Sequence, residues 1–389
     1  MIVQLINILS RFFSLFIPRK DIMVFNSFPD LSDNSYAIFE YLIKNQQELN
    51  RVYTFVYLFN DKKPSKKDYN YLLERGISIE KLKNVRFEKK MSIKGLYYFC
   101  SAKYVFSSHG ILEKINLKNQ TRVNLWHGMP IKNIAKLDGK AVNEIHVGDF
   151  FISTSSFYRD IMAKSFNVSI DKVNITGQPR NDYLFQAGER QKIKLRPFIL
   201  WMPTYRKSRR GDIRLDGSYS EGDFFDADSV ESINYYLKEN DLLLLLKLHP
   251  MDYAKYNIYK NQSNILFIDE DWLFKRSIQL YELIKESEAL ITDYSSVYVD
   301  YLLTKKPVAF IQPDLNDYIN SRGLVFNSFN DIFIGTKVSS SMELIGFFET
   351  VKHKVNLNEE AQEMLSDKLN YYKDGHSSKR IIKDLNLFK

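Results

Sequence analysis

From Asp21 onward, short apolar runs alternate with segments whose apolar residues recur every three or four positions. Ile22–Phe25 and Arg51–Phe59 read as strands, and Ser35–Lys44 and Tyr69–Arg75 have helical spacing. Ala102–Gly110 ends a strand in Ser-Ser-His-Gly, and Arg122–Pro130 ends another in Trp-His-Gly. Asp149–Ser156 and Val173–Asp182 are further strands running into capped or Gly/Pro turns. The stretch from about 185 to 196 is polar, and beyond it the pattern starts again with Phe198–Met202, Leu242–Leu248, Asn264–Ile268, Ala289–Thr292 and Val308–Ile311. Strands alternating with helices predict an α/β protein with parallel sheets covered on both faces. Two Rossmann-like domains are expected, over 21–185 and 196–375, with 376–389 as a C-terminal tail or helix.

Residues 1–17 place Gln4, Asn7, Arg11 and Ser14 as a narrow polar stripe on a greasy helix that turns into Pro18-Arg19-Lys20. An amphipathic helix over 1–20 follows, lying in a membrane interface or packed on its own domain. It has neither the charged start nor the cleavage site of a secretory signal, and no apolar run reaches the roughly 18 residues of a membrane span.

Composition narrows the partners. With 55 Lys and Arg against 47 acidic residues the chain carries +8 and favours anions. The basic residues are dispersed without an aromatic-interleaved stretch, which argues against nucleic acid. The single cysteine, Cys100, excludes an intramolecular disulfide and a Cys-cluster zinc site, and suits the cytoplasm.

The segment Glu288–Val308 organises the candidate chemistry: a buried strand, the turn Asp293–Ser296, then an apolar-faced helix over Val297–Leu303. Thr292, Asp293, Ser295 and Ser296 sit where a helix start offers N–H groups to a phosphate, unless Asp293 or Ser295 merely caps the helix. His127 and His249 each end an apolar strand in a different half, and His109 has a similar setting. Such histidines are structural, or they supply acid and base chemistry from two domains facing a cleft. Arg180, Arg206 and Lys247 also fall near strand ends, as solvated charges or as a cationic bowl for a diphosphate. No P-loop, G-x-G-x-x-G or strand-end Asp-x-Asp is present, so no cofactor and no metal is expected.

Four segments in order, Leu125-Trp-His-Gly-Met-Pro-Ile-Lys132, Gly177-Gln-Pro-Arg-Asn-Asp182, Leu246-Lys-Leu-His-Pro250 and Ile291-Thr-Asp-Tyr-Ser-Ser-Val297 followed by Lys306-Pro-Val308, resemble the CDP-glycerol glycerophosphotransferase family of teichoic acid and capsule synthesis. The resemblance covers about residues 20–375 and implies a type B glycosyltransferase-like fold, the donor held by the C-terminal domain. It implies transfer of glycerol phosphate, or ribitol phosphate in relatives, from a CDP-alditol to a lipid-linked acceptor at the cytoplasmic face of an anionic membrane. A nucleotide-sugar glycosyltransferase of the same fold is the alternative. Carried over, His127 is the base and His249 binds the transferring phosphate. The Asp293–Ser296 turn with Arg180 cradles the donor, and Trp126 and Gly128 flank the base. Asn327 stands where an acidic residue is expected, which leaves the choice of alditol open.

Overall fold

The computed structural model describes residues 17–60, 62–112, 117–138, 147–186, 193–204, 225–248 and 256–389. They form two compact units. One holds the described residues up to Met129, those of Asn143–Gln186, and Tyr371–Lys389; the other holds those of Pro130–Val142 and Ala187–Asn370.

In the first unit, β1 (Lys20–Asn26), β2 (Thr54–Phe59), β3 (Val85–Lys89), β4 (Ala102–Ser107), β5 (Thr121–Asn124), β6 (Phe150–Ser153) and β7 (Val173–Ile175) make one sheet ordered β3-β2-β1-β4-β5-β6-β7. Every pairing is parallel. Covered on both faces, its central strands are apolar along their length, as Met23, Val24 and Phe25 show by being wholly buried. Helix Asp33–Lys44 lays Tyr36, Phe39, Leu42 and Ile43 into this core. Edge strand β3 was not expected from the sequence. Its burial alternates, with Arg86 and Lys89 exposed, so it lacks the apolar run that marks its neighbours.

In the second unit, β8 (Phe198–Trp201), β9 (Leu243–Lys247), β10 (Ile265–Ile268), β11 (Ala289–Thr292), β12 (Val308–Phe310) and β13 (Thr336–Lys337) form a parallel sheet ordered β10-β9-β8-β11-β12-β13. Trp201, Leu244, Leu246 and Ile291 from the sheet pack with Ile233, Leu237 and Phe348 from its helices. Both sheets therefore reverse direction of strand order beside their first strand, between β1 and β4 and between β8 and β11. Ligands of open parallel sheets bind beyond the strand ends at such points.

Two expectations need correction. Residues 371–375, expected to end the second domain, and 376–389, expected as a C-terminal tail or helix, fall in the first unit, and the last stretch does form a helix. There helix Ser377–Asp384 buries Ile381 and Ile382, and the Asp182 carboxylate accepts the N–H groups of Ser377 and Ser378 at 2.8 Å each. The helix after the Asp293–Ser296 turn spans only Val297–Tyr301, and Leu302–Thr304 continues as a 3-10 turn. The expected N-terminal helix lies outside the described residues except for its last four positions, where Ile17, Pro18 and Arg19 are not helical and Lys20 opens β1.

Candidate active site

The first unit gathers its chemistry beyond β1, β4 and β5. After β5 the chain turns sharply: Trp126 adopts φ +47, a left-handed conformation that a bulky residue holds only when its surroundings impose it. They do so here. Trp126 N–H donates to Asn124 Oδ1 at 3.1 Å, and the buried Asn34 amide donates to the Leu125 and Trp126 carbonyls at 3.1 Å each. The indole is wedged edge-on against Phe166 at 4.8 Å. His127 is thereby aimed, and Gly128, at φ +139, lets the chain leave.

The His127 ring stacks on His109 with centroids 4.4 Å apart and planes 8° from parallel. Their tautomers follow from their partners. His127 Nδ1 lies 3.2 Å from the Ser108 carbonyl, which can only accept, so Nδ1 carries the proton and Nε2 keeps a lone pair. His109 Nδ1 accepts from Phe28 N–H at 3.3 Å, so its proton sits on Nε2. One imidazole presents an acceptor nitrogen and its neighbour a donor. Both keep solvent-exposed surface. Desolvation by the surrounding protein, then His109, pushes His127 down to about 3 against the pull of Asp33. Desolvation, then Arg180 and Lys90, pushes His109 down to about 4. Both rings are neutral at physiological pH.

Arg180 is bound beneath this pair. Its Nη1 donates to Asp33 Oδ1 at 2.8 Å and to the His127 carbonyl at 3.0 Å, and its backbone N–H donates to Asn34 Oδ1 at 3.1 Å. Asp33 and Asn34, not singled out from the sequence, therefore tie three turns together. Their only signal was a polar pair opening a helix.

In the second unit, the Asp293 carboxylate accepts from Thr204 N–H at 3.0 Å and from Thr204 Oγ1 at 2.5 Å, closing the switch point between β8 and β11. Thr292 Oγ1 donates to the Met202 carbonyl at 2.8 Å, and Gln312 Nε2 donates to the Asp293 carbonyl at 2.9 Å. Tyr294 stacks on Tyr318 at 3.9 Å and donates to Asp314 at 3.0 Å. The turn is tied to the neighbouring strand end, since the Asp293 carboxylate reaches Thr204. Ser295 Oγ reaches Val297 N–H only at 3.5 Å, Ser296 makes no side-chain cap, and both serines are half-buried.

Thr292, Asp293, Ser295 and Ser296 thus share one turn of the second unit, and His109, Trp126, His127, Gly128 and Arg180 one cluster of the first. Lys247 ends β9 in an ion pair with Glu270 at 2.7 Å. Arg206 and His249 lie outside the described residues. Among the described residues no cluster of metal-ligating side chains occurs, and no helix is long and apolar enough to cross a membrane.

Two doubly wound units, each with polar residues at the carboxyl ends of its strands, define a two-domain α/β protein of the glycosyltransferase B type. The chain belongs to the CDP-glycerol:poly(glycerophosphate) glycerophosphotransferase family, whose model matches residues 9–387. It is 26% identical over 424 residues to the teichoic acid poly(glycerol phosphate) polymerase of Bacillus spizizenii, covering 99% of this chain and 97% of that one. It is also 26% identical over 354 residues to the teichoic acid poly(ribitol-phosphate) polymerase of the same organism, covering 85% of this chain and 53% of that one. Its fold matches the wall teichoic acid polymerase TagF, in a histidine variant soaked with CDPG, at a TM-score of 0.74 and 22% identity over 98% of this chain and 92% of that one.

Proposed function

We propose that this transferase moves glycerol phosphate from CDP-glycerol to a hydroxyl of a lipid-linked acceptor, releasing CMP, at the cytoplasmic face of the membrane in teichoic acid or capsule synthesis. The observation that carries the reading is the tautomer of His127. With Nδ1–H held by the Ser108 carbonyl, Nε2 is an acceptor at the carboxyl edge of the first sheet, in a ring whose neutrality its surroundings enforce. The acceptor hydroxyl loses its proton to Nε2 as its oxygen bonds to the glycerol-bearing phosphorus, and the bond to the CMP oxygen breaks with its electron pair. Such a transfer needs alignment and positive charge around the phosphoryl oxygens more than covalent help. In this reading the Asp293–Ser296 turn and His249 hold the donor phosphates.

His109 acts through His127. Its flat stack fixes the ring plane, and its closeness disfavours a second positive charge in the pair. Arg180 orders the loop by its bond to the His127 carbonyl and is assigned to this cluster first, and to the donor phosphates only in addition.

CDP-ribitol is the second reading, because the ribitol-phosphate polymerase is as similar in identity as the glycerol-phosphate polymerase. Incubation with CDP-glycerol, CDP-ribitol and UDP-sugars, followed by mass spectrometry of the released nucleotide and extended acceptor, decides. CMP from CDP-glycerol is expected. Release of UDP alone would replace this proposal with a sugar transferase.

A further inference from the structure

Strands β2 and β3 end side by side, with Phe59 paired to Lys89, so the segments that follow them share one corner of the first unit's carboxyl edge. One brings Lys62, Lys63, Lys66 and Lys67, and the other Lys89, Lys90 and Lys94. Six of the seven are exposed, and Lys90 is half-buried, donating to the Asn60 side chain. Among the described acidic groups here, Asp68 is buried and paired with Lys62 at 2.8 Å, and Asp30 and Glu88 are half-buried. The corner is strongly cationic.

In its midst apolar side chains are held in water. Met91 is 41% exposed, Ile93 89%, and Tyr97, one turn further along the helix Ile93–Ser101, 38%. They are presented by a built turn. Ser92 Oγ donates to the Lys89 carbonyl at 2.8 Å and accepts from Gly95 N–H at 2.9 Å. Gly95 is required there, since a Cβ would stand 2.2 Å from the Lys89 oxygen. The first turn of the helix therefore lies tight against the end of β3, with Met91 and Ile93 exposed beside it. Isolated exposed aliphatics need no explanation, but a neighbouring pair on a rigid, lysine-ringed corner does.

We propose that this corner docks the enzyme on an anionic lipid bilayer, Met91 and Ile93 entering the headgroup boundary while the lysines lie against the lipid phosphates. Interfacial binding joins buried apolar area to attraction for anionic headgroups, and this surface supplies both. A single-stranded nucleic acid would instead want open aromatic platforms. Among the described residues here one ring is exposed, Tyr97, whose hydroxyl accepts from Lys20 Nζ at 2.6 Å, and a lone ring is not a run of such platforms. The corner also borders the imidazole pair within the same unit, because Lys90 is among the charges that disfavour protonation of His109. Its purpose, to bring the base to a membrane-held acceptor, rests on the function proposed above. The binding itself does not.

The test is sedimentation of the full chain with vesicles of phosphatidylcholine, with and without phosphatidylglycerol. It compares wild type, a triple variant Lys63→Gln, Lys67→Gln and Lys94→Gln, and a double variant Met91→Ser and Ile93→Ser, each checked by its thermal transition. Wild type binds only the anionic vesicles. Each lysine near such a surface strengthens binding about fivefold, so the triple variant binds roughly a hundredfold more weakly. The double variant keeps its low-salt binding and loses the part that survives high salt. The proposal is overturned if wild type ignores anionic vesicles, or if both variants bind like wild type, which would place docking elsewhere in the chain. It is also overturned if the lysine variant loses affinity for an oligonucleotide but not for vesicles. Transfer to a soluble acceptor, measured separately, reports on the proposed reaction whichever way the vesicle result falls.

Discussion

At the scale of single residues, the site turns on which nitrogen of each imidazole holds a proton. In the proposed role, His127→Ala removes the acceptor of the substrate proton and lowers kcat by at least about a hundredfold, with the thermal transition retained. Near-normal turnover would take His127 out of the mechanism. A base held at about 3 is weak, and anionic donor phosphates brought near it in the reacting complex raise its affinity for a proton. The acid limb of kcat is therefore expected at higher pH than that of kcat/KM, since the first reports the bound complex and the second the free enzyme. In His109→Phe a flat ring still stacks, but a charge that opposes protonation of His127 is gone. Because only neutral His127 accepts a proton, the acid limb of kcat/KM moves to higher pH, modestly, since desolvation outweighs His109 as a cause. An unmoved limb would reduce His109 to packing. The place of His127 just after a strand was legible because it ends an apolar run beside a glycine. Its tautomer was not, because the carbonyl that sets it belongs to Ser108, on a different strand end.

At the scale of elements, a buried clamp holds the helix that carries Asp33 and Asn34. Glu40, buried in a helix packed on the sheet, accepts from Arg75 Nε at 2.9 Å, Arg75 Nη2 at 3.0 Å and the Tyr183 hydroxyl at 2.7 Å. It thereby joins the helix Asp33–Lys44, the end of the helix Lys66–Glu74 and the 3-10 segment Pro179–Leu184 that bears Arg180. Burial alone would raise its pKa, but the Arg75 guanidinium, with Lys44 and the Tyr183 hydroxyl, holds it at about 2. Glu40→Gln leaves Arg75 charged, buried and without its carboxylate, and should cost about 3 kcal/mol in denaturant unfolding, loosening Arg180 with it. The sign for pH follows: the ion pair contributes in full above the ordinary carboxylate pKa, and its contribution is lost as pH falls from about 4.5 towards 2. Wild type should lose stability over that window more than Glu40→Gln does. The sheets themselves were legible, since parallel strands covered on both faces are short apolar runs. The clamp was not, because Glu40 and Arg75 are ordinary charges on two helices until the fold buries them together. The five-residue length of the helix after Ser296 was hidden for a related reason: Val297–Leu303 has helical spacing throughout, and the change to a 3-10 turn at Leu302 leaves that spacing almost intact.

At the scale of the whole molecule, the chain does not run through one unit and then the other. It enters the second unit between Met129 and Pro130, inside a motif that reads as continuous, and its last segment returns to the first. There the Asp182 carboxylate, whose pKa burial raises, accepts two helix-start N–H groups, and Leu387 lies wholly buried while its carbonyl accepts from Asn50 N–H at 2.9 Å. The sequence showed a charged helical pattern but not its destination, because pairing Asp182 with Ser377 joins residues far apart in the chain and no local signal marks the partner. The C-terminus should therefore be part of the unit that carries His127. Truncation after Asn370 strips Ile381, Ile382 and Leu387 from its core, each worth about 1.5–3 kcal/mol when fully buried, and leaves Asp182 without its N–H partners. Most of a domain's usual 5–15 kcal/mol is at stake, so the truncated chain is expected to expose the first unit to protease while fragments of the second persist. Asp182→Ala, which removes the bonds but keeps the apolar contacts, should cost only about 1–3 kcal/mol and leave a cooperative transition. Protection of the first unit in the truncated chain, read by mass spectrometry of limited digests, would show that the returning segment is an appendage after all.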